Sequence, residues 1–103
     1  MIETVVERTV TDLEAIYDAA VRFYGKAQVV TKGSHLELLS YGRPVASVDK
    51  ISDELRLSRD WAASATTLRH VKEFMKQNGF KAETKQQIAR DYKEHMIDDW
   101  CNQ

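Results

Sequence analysis

His70 lies three and four residues after Thr67 and Thr66, and Ser64 stands just upstream. Residues at those spacings share one helix face, so this stretch would bring hydroxyls to an imidazole. That is the raw material of hydroxyl nucleophile chemistry. The same hydroxyls equally cap a helix N-terminus by accepting its free amides. The chain has no Gly-x-Ser-x-Gly elbow to strain a serine into an attacking position. His35 and His95 are the other histidines, and no His-x-x-x-His pair exists to start a metal site. Cys101 is the only cysteine, which excludes intramolecular disulfides and thiolate metal clusters. It also lies away from any helix N-terminus that would activate its thiol. Asp98 and Asp99 are consecutive helix positions and point apart. The expectation is therefore a protein with no catalytic residues, no metal and no cofactor.

The elements that must position these groups are legible in part. Ser64 to Asn78 reads as one helix from cap to cap, burying Leu68, Val71, Phe74 and Met75. Gly79 supplies its left-handed end, and Phe80 closes back on Met75. From 26 to 59 the apolar period is two, with turn chemistry at Lys32-Gly33-Ser34 and at Tyr41-Gly42-Arg43-Pro44. That pattern predicts an antiparallel meander of three to four strands. Thr11-Asp12-Leu13-Glu14 has the form of a capping box, and Leu13, Ile16, Tyr17, Ala20, Val21 and Tyr24 follow at helical spacing. These predict a first helix over 11–24, ended by Gly25. Thr84 and Gln87 form a second such box, and Ile88, Tyr92, Met96 and Trp100 predict a last helix over 84–100. Residues 1–10 alternate weakly and admit an edge strand. The fold class is α+β: one domain, 1–103, with a small antiparallel sheet covered on one face by an N-terminal helix and two C-terminal helices.

Composition narrows the function classes. A hydrophobic fraction of 43%, a charged fraction of 30% and a formal charge of -1 describe an ordinary soluble domain, not a polybasic coat. No run spans a membrane and no secretory signal opens the chain, so the expected location is the cytoplasm. Charge is unevenly spread. Arg56, Arg59, Arg69, Lys72, Lys76, Lys81, Lys85, Arg90 and Lys93 face only Asp60, Glu73, Glu83 and Asp91 within 56–93, whereas acids dominate the rest. Arg69, Lys72 and Lys76 share a helix face, the footprint of a phosphate-contacting helix. The alternative is a solvated face with an Arg69–Glu73 pair. Tyr41 in a glycine turn and Trp61 ahead of the helix are aromatic anchors of the kind that hold partners. Trp61 fits equally as a plug for the open end of the core.

Phe23-Tyr24-Gly25-Lys26, Ser40-Tyr41-Gly42-Arg43-Pro44-Val45-Ala46, the alternating Leu55-Arg56-Leu57, and Trp61 with Ser64-Ala-Thr-Thr-Leu-Arg-His-Val-Lys-Glu-Phe74 together form a pattern. Over residues 23–80 it resembles a family of small accessory proteins of tailed phages and prophages that has no established activity. The resemblance implies a protein of early or host-takeover gene clusters, acting in the host cytoplasm. It also singles out Ser40, Tyr41, Thr66, Thr67, Arg69 and His70 for test. The leading expectation is a non-enzymatic phage or prophage protein that binds and inhibits or redirects a host or defence protein, as anti-CRISPR proteins do. Tyr41, Arg43, Trp61, Arg69, His70, Lys72 and Lys76 would make the contact. The alternative is a small nucleic-acid-binding regulator using the basic face of the 64–78 helix, and a third reading is an orphan structural subunit. An open sheet edge admits a homodimer in each case.

Overall fold

The computed structural model describes residues 8–18, 23 and 25–97. In chain order the elements are β1 (Arg8–Asp12), β2 (Ala27–Lys32), β3 (His35–Ser40), β4 (Arg43–Asp49), β5 (Glu54–Ser58), α1 (Ala65–Gln77), α2 (Lys85–Asp91), a single 3₁₀ turn (Lys93–His95) and β6 (Met96–Ile97). The strands form one sheet in the order of the chain. β1 to β5 pair antiparallel, and β6 adds parallel to β5. The class is α+β, and the sheet is larger than the three to four strands expected.

Two-residue turns set the central registers. Gly33 (φ 60°) opens the β2–β3 hairpin, and Tyr41 (φ 53°) with Gly42 (φ 80°) makes the β3–β4 turn. Both central residues there have positive φ, the geometry whose twist suits a two-residue hairpin. β4 then carries a bulge: Leu38 pairs with Ala46 but Leu39 with Pro44, so Val45 is the extra residue. The irregularity tolerates a proline that has no N–H for the ladder. It also turns Val45 and Ala46, neighbours in sequence, both into the interior.

Register places Thr11, Val29, Leu38, Ala46 and Leu57 in one row across the sheet. Leu38, Ala46 and Leu57 from that row join Val71, Phe74, Met75, Ala82 and Ile88 from the helical half in a single core. The opposite face is polar, with Arg8, Lys32, His35, Asp49 and Glu54 in register across it.

α1 has the ends its sequence specifies. Ser64 Oγ accepts the Thr67 amide at 3.0 Å. Gly79 sits at φ 85°, and the Phe80 and Gly79 amides donate to the Met75 and Lys76 carbonyls. This is the paired closure that satisfies the last helical carbonyls.

Two helix expectations are corrected. Residues 11 and 12 belong to β1 and 13–18 are not helical, because Thr9, Val10 and Thr11 are β-branched and find β2 as a partner. Ile16 and Tyr17, counted on a buried stripe, are 60% and 58% exposed. The N-terminal helix expected to cover the sheet is therefore absent from 11–18; Ala20, Val21 and Tyr24 lie outside the described residues. The helix expected over 84–100 stops at Asp91. Past it the Tyr92 hydroxyl donates to the Lys81 carbonyl and His95 Nδ1 donates to the Leu55 carbonyl. Those bonds turn the chain so that Met96 and Ile97 pair with Leu57 and Ser58. Trp100 lies outside the described residues.

Candidate functional site

The hydroxyl and imidazole groups do meet, but inside the protein. Thr67 and His70 lie on the buried face of α1, and Ser40 ends β3 directly beneath them. Ser40 Oγ is 2.8 Å from His70 Nδ1 and 3.1 Å from Thr67 Oγ1. Ser64 Oγ in turn donates to Thr67 Oγ1 at 3.1 Å. A run of donations from Ser64 through Thr67 and Ser40 to His70 Nδ1 gives every hydroxyl hydrogen a partner, and in that arrangement Nδ1 accepts and the ring hydrogen sits on Nε2. His70 and Ser40 are only 1% and 2% exposed. The Phe23 ring meets the imidazole edge-on at 4.7 Å, and Tyr41 lies tilted over it at 5.9 Å.

Burial pushes the His70 pKa down, and the nearby Arg69 charge adds to this, while Asp18 opposes it. The folded protein therefore holds His70 neutral where an unfolded chain begins to protonate it. Because the folded value is the lower one, the unfolded state takes up the extra proton. Stability is accordingly expected to fall as pH drops below 6.5, the ordinary histidine value, and to level off once pH passes the lower folded value. The slope is at most about 1.4 kcal/mol per pH unit. Urea midpoints for wild type and His70→Gln, measured across this range, isolate the contribution. Parallel curves for the two proteins would refute it.

The outward side of α1 borders a groove of about 450 Å³ lined by Tyr17, Asp18, Arg69, Lys72, Glu73 and Lys76. Its floor is Glu73, 1% exposed. The Glu73 carboxylate accepts the Tyr17 and Asp18 amides at 2.7 and 2.8 Å and the Gln77 side-chain amide at 2.6 Å. Gln77 also donates to the Glu14 carbonyl. Arg69 Nε donates to Asp18 Oδ2 at 3.0 Å, and a second guanidinium nitrogen reaches Oδ1. The expected Arg69–Glu73 pair is thus replaced by Arg69–Asp18, with Glu73 turned inward. Lys72 and Lys76 make no ion pair among the described residues.

Residues 11–90 match the model of DUF8033, a family of unknown function. The chain belongs to DUF8033. No curated protein and no solved structure matches it. The DUF8033 match spans the whole of the relay and the groove, and stops short of β6.

The remaining expected contact residues scatter over this DUF8033 domain. Tyr41 is 54% exposed at its turn, and Arg43 beside it is exposed with its guanidinium 3.7 Å from Asp60. Trp61, offered as a partner anchor, is 8% exposed and belongs to the core. An indole of that size is worth more against the sheet than in water. Thr66 takes no part in the relay among the described hydrogen bonds, and His35 lies on the other face of the sheet. Sequence reasoning missed Tyr17, Asp18, Glu73 and Gln77. One signal was available: Glu73 lies three residues after His70 and four before Gln77, inside the helix's buried stripe.

Proposed function

We propose that the protein acts without catalysis, by binding another protein along the outer side of α1 and the Tyr41 turn. The observation that carries this is the mixed character of the groove. Two carboxylates, Asp18 and Glu73, stand among Arg69, Lys72 and Lys76, and Arg69 is already held by Asp18. A phosphate backbone is held by several uncompensated cations, and with Arg69 paired the groove offers two, Lys72 and Lys76. Exposed tyrosines beside arginine, with charges of both signs around them, are instead what protein interfaces use. The inward direction of the Ser40–His70 relay supports a positioning role for those groups: they seat Tyr41 and α1 against one another. Resemblance to phage and prophage accessory proteins supports a host or defence protein as the partner.

Affinity capture of tagged protein from a bacterial host, with nuclease applied to half the sample, tests the reading. The expected result is a protein partner that survives nuclease and is lost with Tyr41→Ala or with Lys72→Glu/Lys76→Glu. Recovery of nucleic acid alone would overturn it in favour of a regulator. In that case the salt slope of binding should fall by about one for each lysine removed.

A further inference from the structure

Among the described residues β1 is the outermost strand of the sheet, and all five of its residues are exposed. Edge strands of soluble proteins are usually blunted by short length, charged side chains, proline or a bulge. Arg8-Thr9-Val10-Thr11-Asp12 has neither proline nor bulge, and it pairs with β2 in unbroken register. Its polar backbone is directed in a definite way. The Leu13 amide donates to the Ala27 carbonyl, in register with the β1–β2 ladder. Hydrogen-bonded and non-bonded pairs alternate along antiparallel strands. Thr11 and Thr9 therefore bond β2, and the N–H and C=O groups of Arg8, Val10 and Asp12 point away from the sheet.

We infer that this edge pairs with β1 of a second copy, antiparallel about a two-fold axis at Val10. In that register Val10 faces Val10 of the other copy, Thr9 faces Thr11, and Arg8 faces Asp12. The strand's chemistry is self-complementary when reversed: cation, hydroxyl, apolar, hydroxyl, anion. Opposite charges and threonine pairs directly across a ladder are favourable. Parity agrees independently, since the same register aligns the outward N–H and C=O groups of Arg8, Val10 and Asp12 as bonded pairs. A shift by one residue would lose both the backbone bonds and the charge match. The product is one continuous antiparallel sheet across two copies, with an interface of the isologous kind that two-fold dimers require.

Sedimentation of the full chain over a concentration series, in reductant so that Cys101 forms no cross-link, tests this. Wild type is expected to dimerise. Val10→Pro should be monomeric yet fold normally by circular dichroism, because the amide it removes faces away from β2. Arg8→Asp and Asp12→Arg should each be monomeric alone, since each sets like charges opposite one another. Mixed together they should form a heterodimer, because the pairs across the axis are then opposite again. A wild-type monomer throughout the series would overturn the proposal. So would a dimer undiminished by Val10→Pro, or no recovery on mixing. A monomer whose Arg8, Val10 and Asp12 amides resist hydrogen exchange would overturn it in favour of another segment of the same chain.

Discussion

Glu73→Ala is expected to destabilise the protein by about 2–5 kcal/mol, far beyond the effect of removing an ordinary helix acid. Glu73 is buried on α1, and its carboxylate is the acceptor for the Tyr17 and Asp18 amides and for Gln77. Alanine takes this acceptor from the Tyr17 and Asp18 amides and leaves Gln77 with the Glu14 carbonyl, and a stranded buried donor costs about 1–3 kcal/mol. Glu73→Gln keeps a carbonyl oxygen in place and should recover much of the loss. The location of the damage is diagnostic. Hydrogen exchange should quicken first at the Tyr17 and Asp18 amides, because both donate to the same Glu73 oxygen. Unchanged protection at those two amides in Glu73→Ala would sink the argument.

Phe74→Ala is expected to cost about 3–5 kcal/mol, the range for emptying a buried aromatic site. Phe74 is 1% exposed and belongs to the core that joins α1 to the sheet. Small domains are stable by about 5–15 kcal/mol in all, so this variant should sit close to unfolding at room temperature. Phe74→Leu leaves a smaller void and should lose less than half as much. Denaturant midpoints give both values. Exchange should here accelerate across the whole core, in contrast to the local pattern of Glu73→Ala. A loss below about 1 kcal/mol would mean that the site collapses around the missing ring.

Those neighbours on one helix also show where the sequence was readable. Phe74 was assigned to the core because α1 states its own limits, Ser64 at one end and Gly79-Phe80 at the other, and its apolar spacing lies between them. The β2–β5 meander was readable for the same reason: period-two strands joined by turns whose residues demand positive φ. Thr11 to Glu14 misled because a capping box is a local signal, whereas β1 is decided by a partner that lies beyond fourteen intervening residues in the chain. The last helix misled likewise, since β5 offers an edge that draws Met96 and Ile97 out of helical register. At the site, helix spacing puts Thr67 beside His70, and the resemblance adds Ser40. Glu73 could not be given its role, because its ligands are backbone amides. Any sequence carries those, so no residue type announces them.

The agreement between strand order and chain order bears on how the molecule assembles. β2 through β5 are joined by short hairpins, whose closure entropy is small, so this meander is expected to form early in folding. Two sets of contacts must wait for distant chain to return: β6 against β5, and the Glu73 bonds, which span 55 and 56 residues. Substitutions that weaken late contacts leave the barrier to folding nearly untouched and lower the barrier to unfolding. Glu73→Ala should therefore refold at close to the wild-type rate while unfolding many times faster. The lifetime of the folded chain then rests on its long-range fastenings, and its speed of formation on the hairpins.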